Sequence, residues 1–582
     1  MSLFWLCFAT LFPLVKCAFY PSCDSEIYCT GEILKQVQMA KLYDDDKYFV
    51  DMKLREVPDV VLEAFRNLTS LSPERTLNSS QLQEFLNKYF ESPEIEFEPW
   101  TPLDWKENPQ FLSKIADKQL KAWALNLHHL WKSLGRKIRS EVRDHPELYS
   151  LIFTPYPVVV PGGRFRELYY WDSYWVINGL LLSGMQNTSR GMIENFLYLA
   201  LLRPVLLCNR YGFVPNGGRI YYERRSQPPF LTLMVESYYQ ATKDNDFLRT
   251  ALPVLEKEYK FWMENRSVTV EVEGNRYVLN HYAVQVAQPR PESYSDDIEL
   301  ARGKTEEAQQ QLYMELNSGA ESGWDFSSRW FINGQGQNSG TLRDTHTSHI
   351  IPVELNALLC HNEELLAYFH RIVGEKAVAE QYEKARRERL KAIESLLWDP
   401  ERNSWFDYSL VTNTSHTAFY PTNLAPLWAR CYSKPIMGDQ ALQYLEDSGA
   451  LNYQNGVPSS MTTSRQQWDF PNAWPPLQHI LIEGLSNLNT TKAQEMAFNL
   501  AQRWITTNWL AYVKYGHMYE KYTVNGDGKP GGGGEYEVQL GFGWTNGVAM
   551  QLLDQYGDRL SGGSHLSASF ALGLFCTTLL ML

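Results

Sequence analysis

Most of the chain has the hydrophobic pattern of amphipathic helices. Apolar residues recur at helical spacing in residues 355–369 and again in 493–504, and the charged segment 375–397 has apolar residues along one side. Each of these segments is predicted to be a helix with one buried face. Residues 267–279 alternate apolar and polar positions instead, which predicts a small β-hairpin with its turn at 274–275. The pattern as a whole predicts one large helical domain.

The loops between these helices are rich in Gly, Pro, Trp and Asp. The dipeptide Trp-Asp occurs at 171–172, 324–325, 398–399 and 468–469, which invites a WD-repeat interpretation. The spacings of 153, 74 and 70 residues are irregular, however, and the intervening segments are helical. A β-propeller is therefore rejected, and the candidate chemistry lies in the loops.

Composition excludes several classes of function. The 582 residues are 44% hydrophobic and carry a formal net charge of −13, so the chain can bury a large core and its acidic surface repels nucleic acid. The sequence has no P-loop, no G-x-S-x-G segment and no HExxH pattern, although His346 and His349 stand three residues apart. We expect neither a nucleotide cofactor nor a metal site.

Both ends of the chain have the pattern of segments that are removed during maturation. Residues 3–15 form an apolar stretch of signal-peptide length, and cleavage is expected between Cys17 and Cys23. At the other end, Ser561 begins a run of small residues that a polar spacer and the apolar residues 568–582 follow. This order is typical of the signal for a glycosylphosphatidylinositol (GPI) anchor. The alternative is a terminal helix that packs on the domain.

These features predict a signal peptide in residues 1–22, a single domain in 23–560 and an anchor signal in 561–582, with Ser561 as the attachment residue. Such a protein is secreted and held on the extracellular face of the cell membrane. Six N-x-[ST] triplets fit secretion, because each is a potential glycosylation site. They are at Asn67, Asn78, Asn187, Asn265, Asn413 and Asn489.

The cysteines expected to remain after maturation are odd in number, so at least one is unpaired. Cys23 and Cys29 are the only close pair and are predicted to form a disulfide. Cys208, Cys360 and Cys431 lie in apolar contexts and are predicted to be buried thiols.

Residues 161–175, PGGRFRELYYWDSYW, concentrate charge among aromatic rings. The segment holds two arginines, a glutamate, an aspartate and six aromatic side chains. Burying a charged side chain is unfavourable unless the charge is paired or takes part in binding or catalysis. So many charged residues among aromatic rings therefore predict a functional site. Aromatic rings stack on the C–H faces of sugars, and guanidinium and carboxylate groups bind hydroxyls. Residues 467–476, QWDFPNAWPP, repeat the mixture, and together the two segments predict a sugar pocket.

Cleavage of a glycosidic bond without a metal requires two carboxyl groups, one as acid and one as base or nucleophile. Asp325 is one candidate because its neighbours Trp and Phe would desolvate it and raise its pKa. The alternative is that Asp325 caps a helix. Glu535 beside four glycines and Glu520 beside Lys521 are the other candidates. Spacing alone does not separate them, and the flexible glycines make Glu535 the stronger candidate from the residues alone. The alternative for Glu520 is a surface ion pair with Lys521.

These segments, in this order, closely resemble the motifs of the trehalases, the family that hydrolyses α,α-trehalose to two glucoses. The resemblance covers nearly the whole chain between residues 40 and 558. It implies an all-α fold, an (α/α)6 toroid with the active site in loops at one end, and an inverting reaction without a cofactor. It assigns Asp325 as the general acid and Glu520 as the general base.

The same resemblance assigns residues that bind the disaccharide. They are Arg164, Trp171, Asp172, Asn216, Arg225, Ser226, Gln227, Arg290, Pro291, Glu292, Gly323 and Glu535. Trp468, Asp469 and Trp474 of the second signature are expected to shape the pocket. Two alternatives remain: another inverting glycosidase of similar helical fold that acts on α-glucans, and a surface sugar-binding protein without turnover.

Overall fold

The computed structural model describes residues 20–201 and 212–560. Most of the predicted signal peptide, Cys208, Ser561 and the predicted anchor signal lie outside the described residues. Within them the chain is predominantly α-helical, which confirms the predicted fold class. No helix in the two described ranges has the length and apolar character needed to cross a membrane.

Nineteen α-helices lie in the described part of the chain. They are α1 (Gly31–Met39), α2 (Asp46–Val50), α3 (Pro58–Ser70), α4 (Ser79–Tyr89), α5 (Lys118–Leu134), α6 (Ser140–Asp144), α7 (Asp172–Leu182), α8 (Gln186–Leu201), α9 (Leu231–Thr242), α10 (Asn245–Asn265), α11 (Tyr294–Ala301), α12 (Glu306–Glu321), α13 (Val353–Val373), α14 (Lys376–Leu396), α15 (Ala425–Trp428), α16 (Pro435–Asp447), α17 (Pro475–Ser486), α18 (Thr491–Tyr515) and α19 (Gly543–Tyr556).

The strands are short and form small two- or three-stranded antiparallel sheets. They are β1 (Lys53–Leu54), β2 (Phe90–Glu91), β3 (Phe97–Pro99), β4 (Gly135–Ile138), β5 (Val158–Val159), β6 (Ser267–Val272), β7 (Asn275–Asn280), β8 (Ile350–Ile351), β9 (Trp398–Asp399), β10 (Ser404–Trp405), β11 (Asp407–Ser409), β12 (Thr414–His416), β13 (Asn472–Ala473) and β14 (Tyr522–Thr523). The strands β6 and β7 form the predicted hairpin, in which Val272 pairs with Asn275. Its turn is therefore at 273–274, one residue earlier than predicted.

Six helices form a closed inner ring in the described structure. The helices α7, α9, α13, α15, α17 and α19 each contact the next, and α19 packs against α7 to close the ring. The helices α5, α8, α10, α14 and α18 pack against this ring as a second layer. Helix α16, whose buried residues belong to the same hydrophobic core, is the sixth outer helix, and the six outer helices alternate with the inner ones along the chain. This two-layer arrangement is the predicted (α/α)6 toroid.

The three helices predicted from periodicity are all present, as α13, α14 and α18. Helix α13 ends at Gly374, whose φ of 93° is the left-handed conformation that favours glycine at this position. Helix α18 begins after Thr490, whose side chain accepts a hydrogen bond from the backbone N–H of Ala493. The ends of these helices are therefore determined by local residues, while burial of their apolar faces stabilises them.

Helices α1 to α4 lie outside the ring and have a small hydrophobic core of their own. That core reaches Tyr169, Tyr221 and Tyr222, which belong to loops of the toroid. Helix α2 contacts the 3-10 helix Pro291–Ser293. The N-terminal segment thus packs directly beside the loops that contain the predicted site.

The structure contains two disulfide bonds among the described cysteines. Cys23 and Cys29 are bonded, which confirms that prediction. Cys360 and Cys431 are also bonded, so the prediction that they are buried thiols is wrong. Cys360 lies on α13 and Cys431 follows α15, and these two inner helices pack against each other. The pair is 71 residues apart in sequence, and the packing of these two neighbouring inner helices brings it together.

Candidate active site

A cavity opens among the loops that come just before the inner helices α7, α9, α17 and α19. Segments 164–172, 216–227, 468–474 and 520–544 all contribute to its wall, together with residues 290–293 and 323–325. The first four segments lead into the N-termini of α7, α9, α17 and α19, and residues 290–293 and 323–325 line the same cavity beside them. These loops therefore meet at one end of the toroid. Both predicted catalytic carboxyls, those of Asp325 and Glu520, line this cavity.

Asp325 lies in the loop between α12 and the 3-10 helix Ser328–Trp330. Its carboxyl faces the cavity, but the surrounding protein desolvates it and raises its pKa from 3.8 to about 7. The negative charge of Glu535 adds to this rise, and the guanidinium of Arg290 opposes it. The cap of the 3-10 helix is Ser327, so helix capping does not explain Asp325.

Glu520 is buried, and so is its neighbour Lys521. The Nζ of Lys521 lies 3.1 Å from Oε2 of Glu520 and donates a hydrogen bond to Oε1 of Gln467 at 2.8 Å. The hydroxyl of Tyr536 donates to Oε1 of Glu520 at 2.9 Å. The ion pair predicted as the alternative for Glu520 therefore exists, but it lies in the wall of the cavity and not on the surface.

Gln467 connects the two segments that carry the candidate catalytic carboxyls. Its side-chain Nε2 donates to the backbone carbonyl of Asp325 at 2.5 Å, while its Oε1 accepts from Lys521. The side chain is buried, so neither of these hydrogen bonds competes with bulk water. One amide thus fixes the backbone at Asp325 and the cation beside Glu520.

Arg290 and Arg225 are buried guanidinium groups in the wall, and each is paired with acids. Arg290 binds both oxygens of Asp297 on α11, at 2.6 and 3.0 Å, and also contacts Glu535 at 2.7 Å. Arg225 donates to Glu292 at 2.5 Å and to the side-chain oxygen of Asn216 at 2.9 Å. Burial alone would favour a neutral Glu292, but the charges of the two arginines outweigh it and lower the pKa of that carboxyl.

Arg164 forms a salt bridge of 2.7 Å with Asp45, which comes from the N-terminal segment before α2. Asp172 lies at the start of α7 and is buried. Burial raises the pKa of Asp172 well above its ordinary value, and the nearby charges of Glu520 and Asp325 raise it further. Besides Asp325, the site therefore contains a second carboxyl, that of Asp172, whose protonated form is favoured.

Aromatic rings form one wall of the cavity. Trp468 stacks on Trp474 with ring centres 3.9 Å apart and planes 2° from parallel, and Trp171 and Trp544 pack around this pair. Gly323 adopts a φ of 75°, and a Cβ there would lie 2.7 Å from the ring of Trp171. Only glycine allows this loop to approach the tryptophan so closely.

Asp469 of the second signature is not part of the cavity wall. It is fully buried and accepts hydrogen bonds from the hydroxyl of Ser327 at 2.8 Å and from the backbone N–H of Ser328 at 2.6 Å. The hydroxyls of Ser460 and Ser464 also donate to it. Asp469 thus connects the second signature to the loop that carries Asp325.

Ten of the twelve predicted binding residues line the cavity, namely Arg164, Trp171, Asp172, Asn216, Arg225, Gln227, Arg290, Glu292, Gly323 and Glu535. Ser226 and Pro291 lie behind the wall. The hydroxyl of Ser226 donates to the carbonyl of Val214, and the carbonyl of Pro291 accepts from the side chain of Gln38.

Several residues of the site were not predicted. Tyr536 and Trp544 line the cavity, and their aromatic character next to Glu535 and a run of glycines was the available signal. Gln467 belongs to the second signature, but nothing in that segment shows which residues it contacts. Lys47, which also lines the cavity, is more than a hundred residues before the first signature and has no sequence signal.

Comparisons with known proteins agree with this geometry. The trehalase family profile matches residues 41–557. The chain is 53% identical to the trehalase of Homo sapiens over 547 residues, which is 94% of this chain and 92% of that protein. It is 45% identical to the trehalase of Apis mellifera, with 97% of this chain and 90% of that protein covered.

A solved structure is also similar. The neutral trehalase of Saccharomyces cerevisiae superposes with a TM-score of 0.55 and 27% sequence identity, covering 70% of this chain and 74% of that one. The sequence motifs, the helical toroid and the match over most of the chain all agree. This protein belongs to the trehalase family.

Proposed function

We propose that this protein hydrolyses α,α-trehalose to two glucose molecules with inversion of configuration. Asp325 protonates the glycosidic oxygen as the bond breaks, and Glu520 removes a proton from the water that attacks the anomeric carbon. The observation that carries this proposal is a single cavity that contains both a carboxyl with a raised pKa and a second carboxyl held by a buried cation.

The environment of each carboxyl suits its role. A pKa of about 7 leaves roughly half of Asp325 protonated at neutral pH, so it can give up a proton when the leaving oxygen needs one. Glu520 receives hydrogen bonds from Lys521 and Tyr536, one on each oxygen. A carboxylate has about four lone-pair sites, so Glu520 can still accept a hydrogen bond from the attacking water.

The arginines of the cavity favour a neutral substrate. Arg164, Arg225 and Arg290 each have at least one acidic partner within 2.7 Å, so their charge is largely offset. Their remaining N–H groups can donate to sugar hydroxyls, and the tryptophan wall offers faces for the C–H surface of a glucose ring. A phosphorylated sugar would meet the carboxylates that neutralise these arginines.

A panel of substrates tests the proposal. We expect the purified protein to release glucose from trehalose, but not from maltose or short α-glucans, and we expect the Asp325→Asn variant to release none. Cleavage of α-glucans in place of trehalose would support another inverting glycosidase. Binding of trehalose without turnover by the folded wild type would support the sugar-binding alternative.

We also propose that the protein is secreted, N-glycosylated and held at the extracellular face of the cell membrane by a GPI anchor at Ser561. All six candidate asparagines are exposed, and two disulfides are typical of an oxidising compartment. Phosphatidylinositol-specific phospholipase C should release the activity from intact cells, and peptide N-glycosidase should reduce the apparent mass. Retention of the activity on phospholipase-treated cells would contradict the anchor.

A further inference from the structure

We propose that Glu315, His346 and His349 form a binding site for one divalent transition metal ion, with Zn²⁺ as the best fit. None of the three residues lines the active-site cavity, and the proposal does not depend on the proposed reaction. Sequence analysis predicts no metal site, because the two histidines are three residues apart without an HExxH pattern, and Glu315 lies 31 residues before His346.

The ligand atoms of these residues converge. One ligand atom from each lies within 4.8 Å of the others, and Nδ1 of His349 is 3.3 Å from Oε1 of Glu315. Two ligands of a tetrahedral zinc ion, each about 2.0–2.1 Å from the metal, are about 3.3 Å apart. This pair is therefore already at ligand spacing, and His346 needs to move by no more than about 1.5 Å to join it.

Local structure explains why the histidines face the same side. His346 caps the 3-10 helix Thr347–His349, and His349 is its last residue. A 3-10 helix has three residues per turn, so side chains at i and i+3 lie above one another. Their rings meet edge to face, with centres 5.7 Å apart.

Glu315 is held in position by neighbouring donors. The backbone N–H and the hydroxyl of Ser348 donate to it at 2.8 and 2.7 Å, and the side chain of Gln311 donates at 2.7 Å. Such contacts to a ligating carboxylate orient it and strengthen metal binding. The carboxylate is buried, whereas the His349 side chain is 42% exposed, so an ion can enter from solvent.

The ligand types select the metal. Two imidazoles and one carboxylate are a set that zinc uses when it keeps a fourth position for water. Mg²⁺ and Ca²⁺ prefer oxygen ligands and fit this set poorly.

The position of the site indicates what the ion would do. Glu315 lies on α12, and Asp325 follows the end of that helix by four residues. His346 and His349 lie where the chain returns and enters β8. An ion bound by all three would join the two ends of the segment that carries Asp325. Because it binds only the folded chain, it would raise the thermal stability of the protein, and this gain grows with the logarithm of the free ion concentration once that exceeds Kd.

The test is a titration of tag-free, metal-stripped protein with Zn²⁺ by isothermal calorimetry, with Co²⁺ as an optical probe. We expect one ion per chain, an affinity at least tenfold lower in His346→Ala and in His349→Ala, and a rise in Tm with Zn²⁺ that both variants lose. His145→Ala is the matched control. His145 lies 3.5 Å from Glu147 as an exposed pair of one histidine and one carboxylate and does not belong to the proposed cluster, and its removal should leave binding unchanged.

Two results would overturn the proposal. One is the absence of saturable Zn²⁺ binding by the wild type, which needs no variant to interpret. The other is equal binding by the wild type and by a folded His346→Ala variant, which would mean that the three residues are only a hydrogen-bonded cluster. Neither result bears on trehalose hydrolysis, which the substrate panel tests separately.

Discussion

The raised pKa of Asp325, the proposed catalytic acid, makes this carboxyl a source of instability as pH rises. Its pKa is about 7 in the folded protein against an ordinary 3.8. A carboxyl whose pKa is raised by folding supports the folded state fully below its unfolded pKa, and this support is lost as pH rises through the folded pKa. Asp325→Asn keeps the shape of the side chain but cannot ionise. The variant should therefore be inactive and, relative to wild type, increasingly stable as pH rises.

The size of the effect follows from the shift of about three pKa units. One unit corresponds to about 1.36 kcal/mol, so the limit above pH 7 is about 4 kcal/mol. Between pH 5 and pH 9 the stability gap between variant and wild type should grow by about 3 kcal/mol. With about 2.1 cal/mol/K of unfolding entropy per residue and roughly 530 ordered residues, this corresponds to a change of about 3 °C in the Tm difference.

Calorimetric scans of both proteins at pH 5 and pH 9 measure this change. All other titrating groups are common to the two proteins, so the difference between their Tm values isolates Asp325. Asp558→Asn, at an exposed position, is the control and should show no change with pH. A Tm gap for Asp325→Asn that stays constant or shrinks between pH 5 and pH 9 would refute the reasoning.

Three further predictions follow from the same contacts. The kcat/KM for trehalose should fall about tenfold per pH unit above pH 7 as Asp325 loses its proton, and a pH–rate profile that stays flat to pH 9 would contradict this. Asp469→Asn leaves buried donors without a charged acceptor and should lower the free energy of unfolding by about 2–4 kcal/mol in urea; a loss below 1 kcal/mol would show that the loop is held elsewhere. The disulfide lost in Cys431→Ser closes a loop of 71 residues, and its loss should lower the free energy of unfolding by about 4 kcal/mol. The disulfide lost in Cys29→Ser closes a loop of only six residues, and its loss should cost about 2 kcal/mol. Equal losses would contradict the entropic argument.

The local spacing of apolar residues predicted the individual helices better than it predicted how the helices pack into a ring. The apolar spacing of residues 355–369 is buried only if the segment is a helix, and α13 extends over that whole stretch. The contact between α19 and α7 that closes the ring joins residues more than 350 positions apart. No periodicity encodes such a contact, and the toroid was predicted only through the family resemblance.

The site likewise has features that neighbouring residues in the sequence predict and contacts between distant residues that they do not. The aromatic neighbours of Asp325 indicated desolvation, and its pKa is raised for that reason. Arg164 pairs with Asp45 across 119 positions, and Gln467 contacts Asp325 across 142 positions and Lys521 across 54. Local sequence does not encode contacts over such separations. The alternative for Glu520, a surface ion pair with Lys521, is met only in part, since the pair forms but is internal.

The most direct test of the central proposal is to follow trehalose hydrolysis by NMR of the anomeric protons, with Asp325→Asn as the control. Inversion predicts that α- and β-glucose appear in equal initial amounts, because the attacked glucose becomes β while the leaving glucose stays α. The control should show neither. Initial release of α-glucose alone would mean retention and would contradict the assignment of Glu520 as the base that activates water.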